Sequence, residues 1–133
     1  MNELEKAKEI AIKAHDGQLR KNGEPYSTHL ELVASQFKDD ELAQTIAWLH
    51  DVIEDTDVTV EQLRDYGFSE RVLNDVILLS KPRELSYQQY IDRIKSSLIA
   101  VKIKKADITA NLLDNPGNKQ TIKLAKALIQ LCT

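Results

Sequence analysis

Apolar residues return every three to four positions along nearly the whole chain, the spacing of helices that bury one face. In NELEKAKEIAIKAH, Leu4, Ala7, Ile10, Ala11 and Ala14 line one side. A first helix is therefore predicted from about Asn2 to His15, with Gly17 placed to stop it. After the loop GQLRKNGEPYS the period resumes in THLELVASQF, where Ser27 or Thr28 is the expected N-cap. A third helix is predicted from about Asp40 to Glu54. DVTVEQLRDYGF reads as a short capped helix ended by Gly67, and SERVLNDVILLS as another, closed before Pro82. SYQQYIDRI opens the next helix. LIAVKIKKADITANLLD and NKQTIKLAKALIQLC follow, separated by the breaker NPG. Strand-like alternation is nearly absent and no fixed-period repeat is found. The expected fold is an all-α bundle of about seven helices, one domain over residues 1–133.

One stretch disturbs this pattern. AWLHDVIEDT sets His50, Asp51, Glu54 and Asp55 into an apolar helical run. At about 100° per residue, His50 falls within the stripe of Leu42, Ile46, Ala47, Leu49 and Ile53, with Asp51 at its edge. Glu54 and Asp55 follow one turn on, so the four are expected on one face. A core histidine with acids solvating the helix end is one reading. Carboxylates at a helix C-terminus oppose the macrodipole, however, and EDTD adds more of them, so a compensating cation is the other. Two further histidines exist. His29 opens a helix on its core side, whereas His15 ends the first helix, where a histidine commonly just suits the dipole. Asp107 interrupts an apolar pattern in KIKKADITANLLD, with Asn111 at i+4 on the same face. Two histidines and two aspartates suit Mn, Fe or Zn better than Mg or Ca. Spacing alone leaves both readings open.

Composition narrows the partners. With 42% hydrophobic and 29% charged residues the chain is of ordinary globular type. A net charge of −3 lacks the broad basic footprint of a nucleic-acid binder. The single cysteine, Cys132, excludes an internal disulfide and fits a reducing cytoplasm. The charged, amphipathic N-terminus reads as neither a signal peptide nor a membrane span.

The order H…HD…D on an all-α chain resembles the HD-domain metal-dependent phosphohydrolases. AHDGQLRKNGEPYSTHLELVA is similar to the opening of the hydrolase domain of the RelA/SpoT-like family, AHxGQxRKxGxPYxxHP. AWLHDVIEDTDVT resembles its LLHDxxEDT segment, and IKKADITANLLD its VKLADxxxNxxD. The resemblance spans about residues 7 to 114. It implies that His29, His50, Asp51 and Asp107 hold a divalent metal, usually Mn²⁺ in that family. Glu54 and Asp55 become, jointly, the groups that orient water and move protons, a division that suits metal-assisted hydrolysis. Arg20 and Lys21 match the pair that holds the nucleotide, and Asn111 a residue near the ribose. Lys104 matches a motif lysine, although Lys102 and Lys105 beside it read as a solvated charge run. Tyr87 and Tyr90 read as packing residues. Leu30 stands where the family often has Pro, and Lys105 where it usually has Leu.

The activity implied is hydrolysis of the 3′-diphosphate of (p)ppGpp, giving GDP or GTP and pyrophosphate. The alternatives are an HD phosphohydrolase acting on another nucleotide or phosphomonoester, and a non-catalytic nucleotide-binding module. The 133 residues leave no room for a synthetase domain, so pyrophosphate transfer from ATP is not expected of them.

Overall fold

The computed structural model describes every residue from Met1 to Thr133. Nine helices follow one another: α1 (Glu3–Ala14), α2 (Ser27–Ala34), α3 (Glu41–Leu49), α4 (Val52–Asp55), α5 (Val60–Asp65), α6 (Glu70–Leu79), α7 (Tyr87–Ile94), α8 (Leu98–Leu113) and α9 (Asn118–Cys132). The all-α expectation holds. Several ends have the predicted chemistry. Asn2 caps α1 through the Glu5 N–H, and Thr59 with Gln62 and Ser86 with Gln89 form reciprocal capping boxes on α5 and α7. Gly17 and Gly67, at φ 83° and 99°, end their helices in the left-handed region.

Two expectations fail. Neither Ser27 nor Thr28 caps α2; Tyr26 occupies that position without a side-chain bond, and the Thr28 hydroxyl donates to the Pro25 carbonyl instead. The predicted helix from Asp40 to Glu54 is broken at His50–Asp51, which raises the helix count above seven. The cause lies at the Ala47 carbonyl. In an unbroken helix it would accept the Asp51 N–H. Here it accepts the His50 N–H at 3.4 Å and the His50 ring at 2.5 Å, and the chain restarts with the Asp55 N–H on Asp51.

α3 is central, touching α1, α2, α6 and α8. One cluster of 26 buried apolar residues receives side chains from all nine helices. Leu30, Ile46, Leu49, Ile103 and Ile108 are among the largest fully buried side chains, each worth about 1.5–3 kcal/mol on burial. They hold α2, α3 and α8 against one another where three polar side chains, His29, His50 and Asp107, are also buried. No helix is long and apolar enough to cross a membrane.

Candidate metal centre

His29 comes from the first turn of α2, His50 and Asp51 from the α3–α4 break, and Asp107 from the middle of α8. One donor atom from each lies within 4.8 Å of the other three. His29 Nε2 is 2.8 Å and His50 Nε2 3.3 Å from Asp107 Oδ1, and His50 Nε2 is 3.1 Å from Asp51 Oδ2. The chain break makes this convergence possible, because it turns His50 and Asp51 together toward α2 and α8.

The donor set fits a cation. A carbonyl only accepts, so the His50 Nδ1 beside Ala47 O bears a proton, and in the neutral ring Nε2 is a lone pair. That lone pair faces two carboxylate oxygens, acceptor against acceptor, and something positive must lie between them. A proton is one answer. Although burial acts against it, the charges of Asp51 and Asp107 raise the His50 imidazole well above its ordinary range. A divalent metal is the other, with the carbonyl fixing the ring tautomer as in metal-bound histidines. The carboxylates are held ionised. Burial pushes Asp51 up, but His50 and the Tyr26 hydroxyl bring it below the usual value. Asp107 lies further below, Lys104 outweighing its burial. His29 Nδ1 is buried without a partner.

Residues around the four were misjudged or overlooked from sequence. Lys104 is no solvated lysine: its ammonium sits 2.9 Å from Asp107 Oδ2 and 5.2 Å from the centroid of the Tyr90 ring. Tyr26 donates to Asp51 Oδ2 at 2.5 Å, and burial, with Asp51 beside it, pushes its phenol far up, so it stays a donor. A buried acid leaves such a donor obligatory, and PY in the basic loop was its only signal. His15 is buried too, its Nδ1 2.9 Å from Gln18 and its ring against Tyr26, rather than merely ending a helix. Tyr90 packs as expected, with its hydroxyl on the Leu79 carbonyl.

The second acid pair, Glu54 and Asp55, follows the break on α4, and Asp55 is near enough to Asp51, His50 and Asp107 to feel their charges. Glu54 and Asp55 line a recess of about 620 Å³ with Lys81, Arg83 and Arg93, and Glu54 accepts the Lys81 N–H at 2.7 Å. Partial burial, followed by the charges of Asp51 and Glu54, raises the Asp55 carboxyl to about 6. A separate recess of about 280 Å³, lined by Arg20, Lys21 and Asn111, also reaches His29. Arg20 is not a free loop cation; it forks onto Asp114 through Nε at 3.3 Å and Nη2 at 2.5 Å, with Nη1 on Thr28. Lys21 is exposed. Asn111 points its amide at Asp107 Oδ1 from 3.4 Å.

The chain has curated relatives. It is 40% identical over 119 residues to a guanosine-3′,5′-bis(diphosphate) 3′-pyrophosphohydrolase of Haemophilus influenzae, covering 85% of this chain and 18% of that protein. The chain belongs to the RelA/SpoT-like family of HD domains. A GTP pyrophosphokinase of Myxococcus xanthus is 30% identical over 146 residues, covering 96% of this HD domain and 19% of that protein. The HD domain thus spans about a fifth of the length of these relatives. Its fold matches a solved structure described as a metazoan ortholog of SpoT that hydrolyzes ppGpp, at TM-score 0.79 and 23% identity, over 98% of this chain and 85% of the other. No family model matches the chain.

Proposed function

We propose that residues 1–133 form one HD unit that hydrolyses the 3′-diphosphate of (p)ppGpp, releasing pyrophosphate and GDP or GTP. The observation that carries this reading is the buried meeting of His29, His50, Asp51 and Asp107, acceptors facing acceptors, with the relatives' names beside it. These four residues would hold a divalent transition ion, Mn²⁺ first. When bound, such an ion supplies Lewis acidity toward phosphoryl oxygens and makes water a better acid. The chain's own residues do the rest. Asp55, whose carboxyl titrates near 6, is a carboxylate at neutral pH that still takes a proton readily, the poise of a general base. Glu54, held by the Lys81 N–H, orients water beside it, and the two acids act as a unit. Water adds to the phosphorus, the 3′-oxygen–phosphorus bond breaks, and the sugar oxygen leaves with a proton. Arg20, Lys21 and Asn111 hold the nucleoside end, while Lys81 and Arg83 face the phosphates. The partner is a small nucleotide, and a cytoplasmic setting belongs to the same proposal.

The test is direct. Purified protein loaded with Mn²⁺ is expected to convert ppGpp to GDP and pyrophosphate in equal amounts, with the metal content measured on the same sample. Intact ppGpp in the presence of bound metal would refute the reading. Orthophosphate in place of pyrophosphate, from ppGpp or from a panel of nucleotides and phosphomonoesters, would assign the domain to another HD phosphohydrolase activity. Nucleotide binding without any turnover would make it a binding module.

A further inference from the structure

His15, the C-cap of α1, is only 2% exposed and stands outside the set of four donors. Gly17, at φ 83°, turns the chain back so that the Gln18 side chain meets the His15 ring. Gln18 Nε2 donates to the Asp55 carbonyl at 3.0 Å. That carbonyl closes α4, belongs to a helix end that leaves its last carbonyls without intrahelical partners, and can only accept. The Gln18 amide is thereby oriented with Oε1 toward His15, so the 2.9 Å hydrogen bond between them is donated by His15 Nδ1. Burial holds this imidazole below its ordinary range, and the neutral ring keeps its one proton on that nitrogen. Nε2 is buried without a partner, a cost that an apolar side chain in the same place would not carry. The face of the ring packs on Tyr26, with centroids 4.9 Å apart, and the Tyr26 hydroxyl donates to Asp51 Oδ2. One imidazole thus steadies two donors that reach the two halves of the α3–α4 break: by its edge the amide on Asp55, by its face the phenol beside Asp51.

We propose that His15 and Gln18 are positioning residues for Asp55: the Nδ1–H of His15 fixes the Gln18 amide, and the amide fixes the last carbonyl of α4, so that the acid stays in register with Asp51 and the other donors. This rests on the hydrolytic reading above and adds what sets the acid's place. Neither residue touches the substrate. A reacting group misplaced by about 1 Å costs on the order of 10²-fold in rate, so one amide on one backbone carbonyl matters more to turnover than to stability.

The experiment sets two His15 variants against each other. His15→Asn places a side-chain N–H where Nδ1 stands and discards the ring, whereas His15→Phe keeps a ring and discards the N–H. Melting temperature should follow the ring, with His15→Phe melting above His15→Asn. Turnover of ppGpp by the Mn²⁺-loaded protein should follow the N–H. His15→Asn is expected to retain most of kcat, while His15→Phe and Gln18→Met each lose about tenfold, with KM and metal content close to those of the unaltered protein. A merely structural histidine cannot give opposite orders of stability and turnover. The same order in both measurements, or a loss carried by KM, would overturn the proposal. A second measurement needs no turnover. The backbone carbonyl carbon resonance of Asp55 should shift in His15→Phe and Gln18→Met and hold its place in His15→Asn; an unmoved resonance in His15→Phe would also overturn the proposal. Should the unaltered protein leave ppGpp intact, the activity is refuted and that resonance decides whether His15 and Gln18 hold Asp55.

Discussion

The two recesses that flank the His-Asp centre differ in how their cations are used. On the His29 side, Arg20 is tied by Asp114 and Thr28, and the exposed cation is Lys21. On the Glu54 side, Arg93 is spent on the Ile77 and Ser80 carbonyls at the end of α6, but Arg83 is exposed and the Lys81 ammonium bonds only the Pro82 carbonyl. One exposed cation, Lys21, remains at the His29 recess, whereas at the other recess Lys81 and Arg83 share the wall with the carboxylates of Glu54 and Asp55. Whether a charge is free, rather than whether it exists, decides what it binds.

Several experiments break or sharpen that contrast. The largest effect is expected where the two sides meet. His50→Ala and Asp51→Ala should each lose metal and turnover together, read by elemental analysis beside the rate, and ligand binding on both sides should survive only in part. Glu54→Gln should keep the metal and lower turnover by roughly 10²-fold, as for loss of an acid–base or water-orienting group; equal metal loss would move Glu54 into the ligand set. The double change Arg20→Ala, Lys21→Ala should cost about 2 kcal/mol in kcat/KM for the nucleotide, with metal content intact. An aryl phosphate, which has no base to reach that loop, should be hydrolysed equally by both proteins. Arg83→Ala is expected to weaken pyrophosphate severalfold and flatten its salt dependence while sparing GDP's nucleoside contacts; unaltered pyrophosphate affinity would end the phosphate assignment.

The smallest effect is a titration. In the metal-free protein the Asp55 carboxyl should have its midpoint near pH 6, followed by carbon NMR, and the midpoint should fall when a diamagnetic divalent ion is bound. The sign for stability follows from the raised value. Between the ordinary carboxylate range and pH 6 the folded state binds the Asp55 proton more tightly than the unfolded chain does, so this group's contribution falls as pH rises through that window. An ordinary midpoint would remove Asp55 from the list of poised bases.

Local rules made much of this legible in sequence. Caps such as Thr59 with Gln62, and glycines such as Gly17 and Gly67, mark helix ends through contacts within four residues. The apolar period located α2, α3 and α8, and the family resemblance singled out His29, His50, Asp51 and Asp107, which the fold gathers. What escaped depends on distant partners. The break at His50 leaves no Gly or Pro behind it; it arises when an imidazole captures the carbonyl three residues back. Lys104 looks solvated beside Lys102 and Lys105 because Tyr90, which lies over it, is on another helix. Asp114 and Arg20 carry no mutual signal across 94 residues.

The break that aims His50 inward also leaves α4 a helix of only four residues. A single turn does not persist by itself in water. This one is tethered by Val52 in the core, by the Gln18 amide on the Asp55 carbonyl at 3.0 Å, and by Glu54 on the Lys81 N–H. The acid pair therefore rides on a segment of low local stability, while His29 and His50 are anchored in the last part of the molecule to open. Amide exchange should register that gradient as rapid exchange through α4 against slow exchange in α3, so that the acids can adjust to a substrate without loosening the donor atoms behind them.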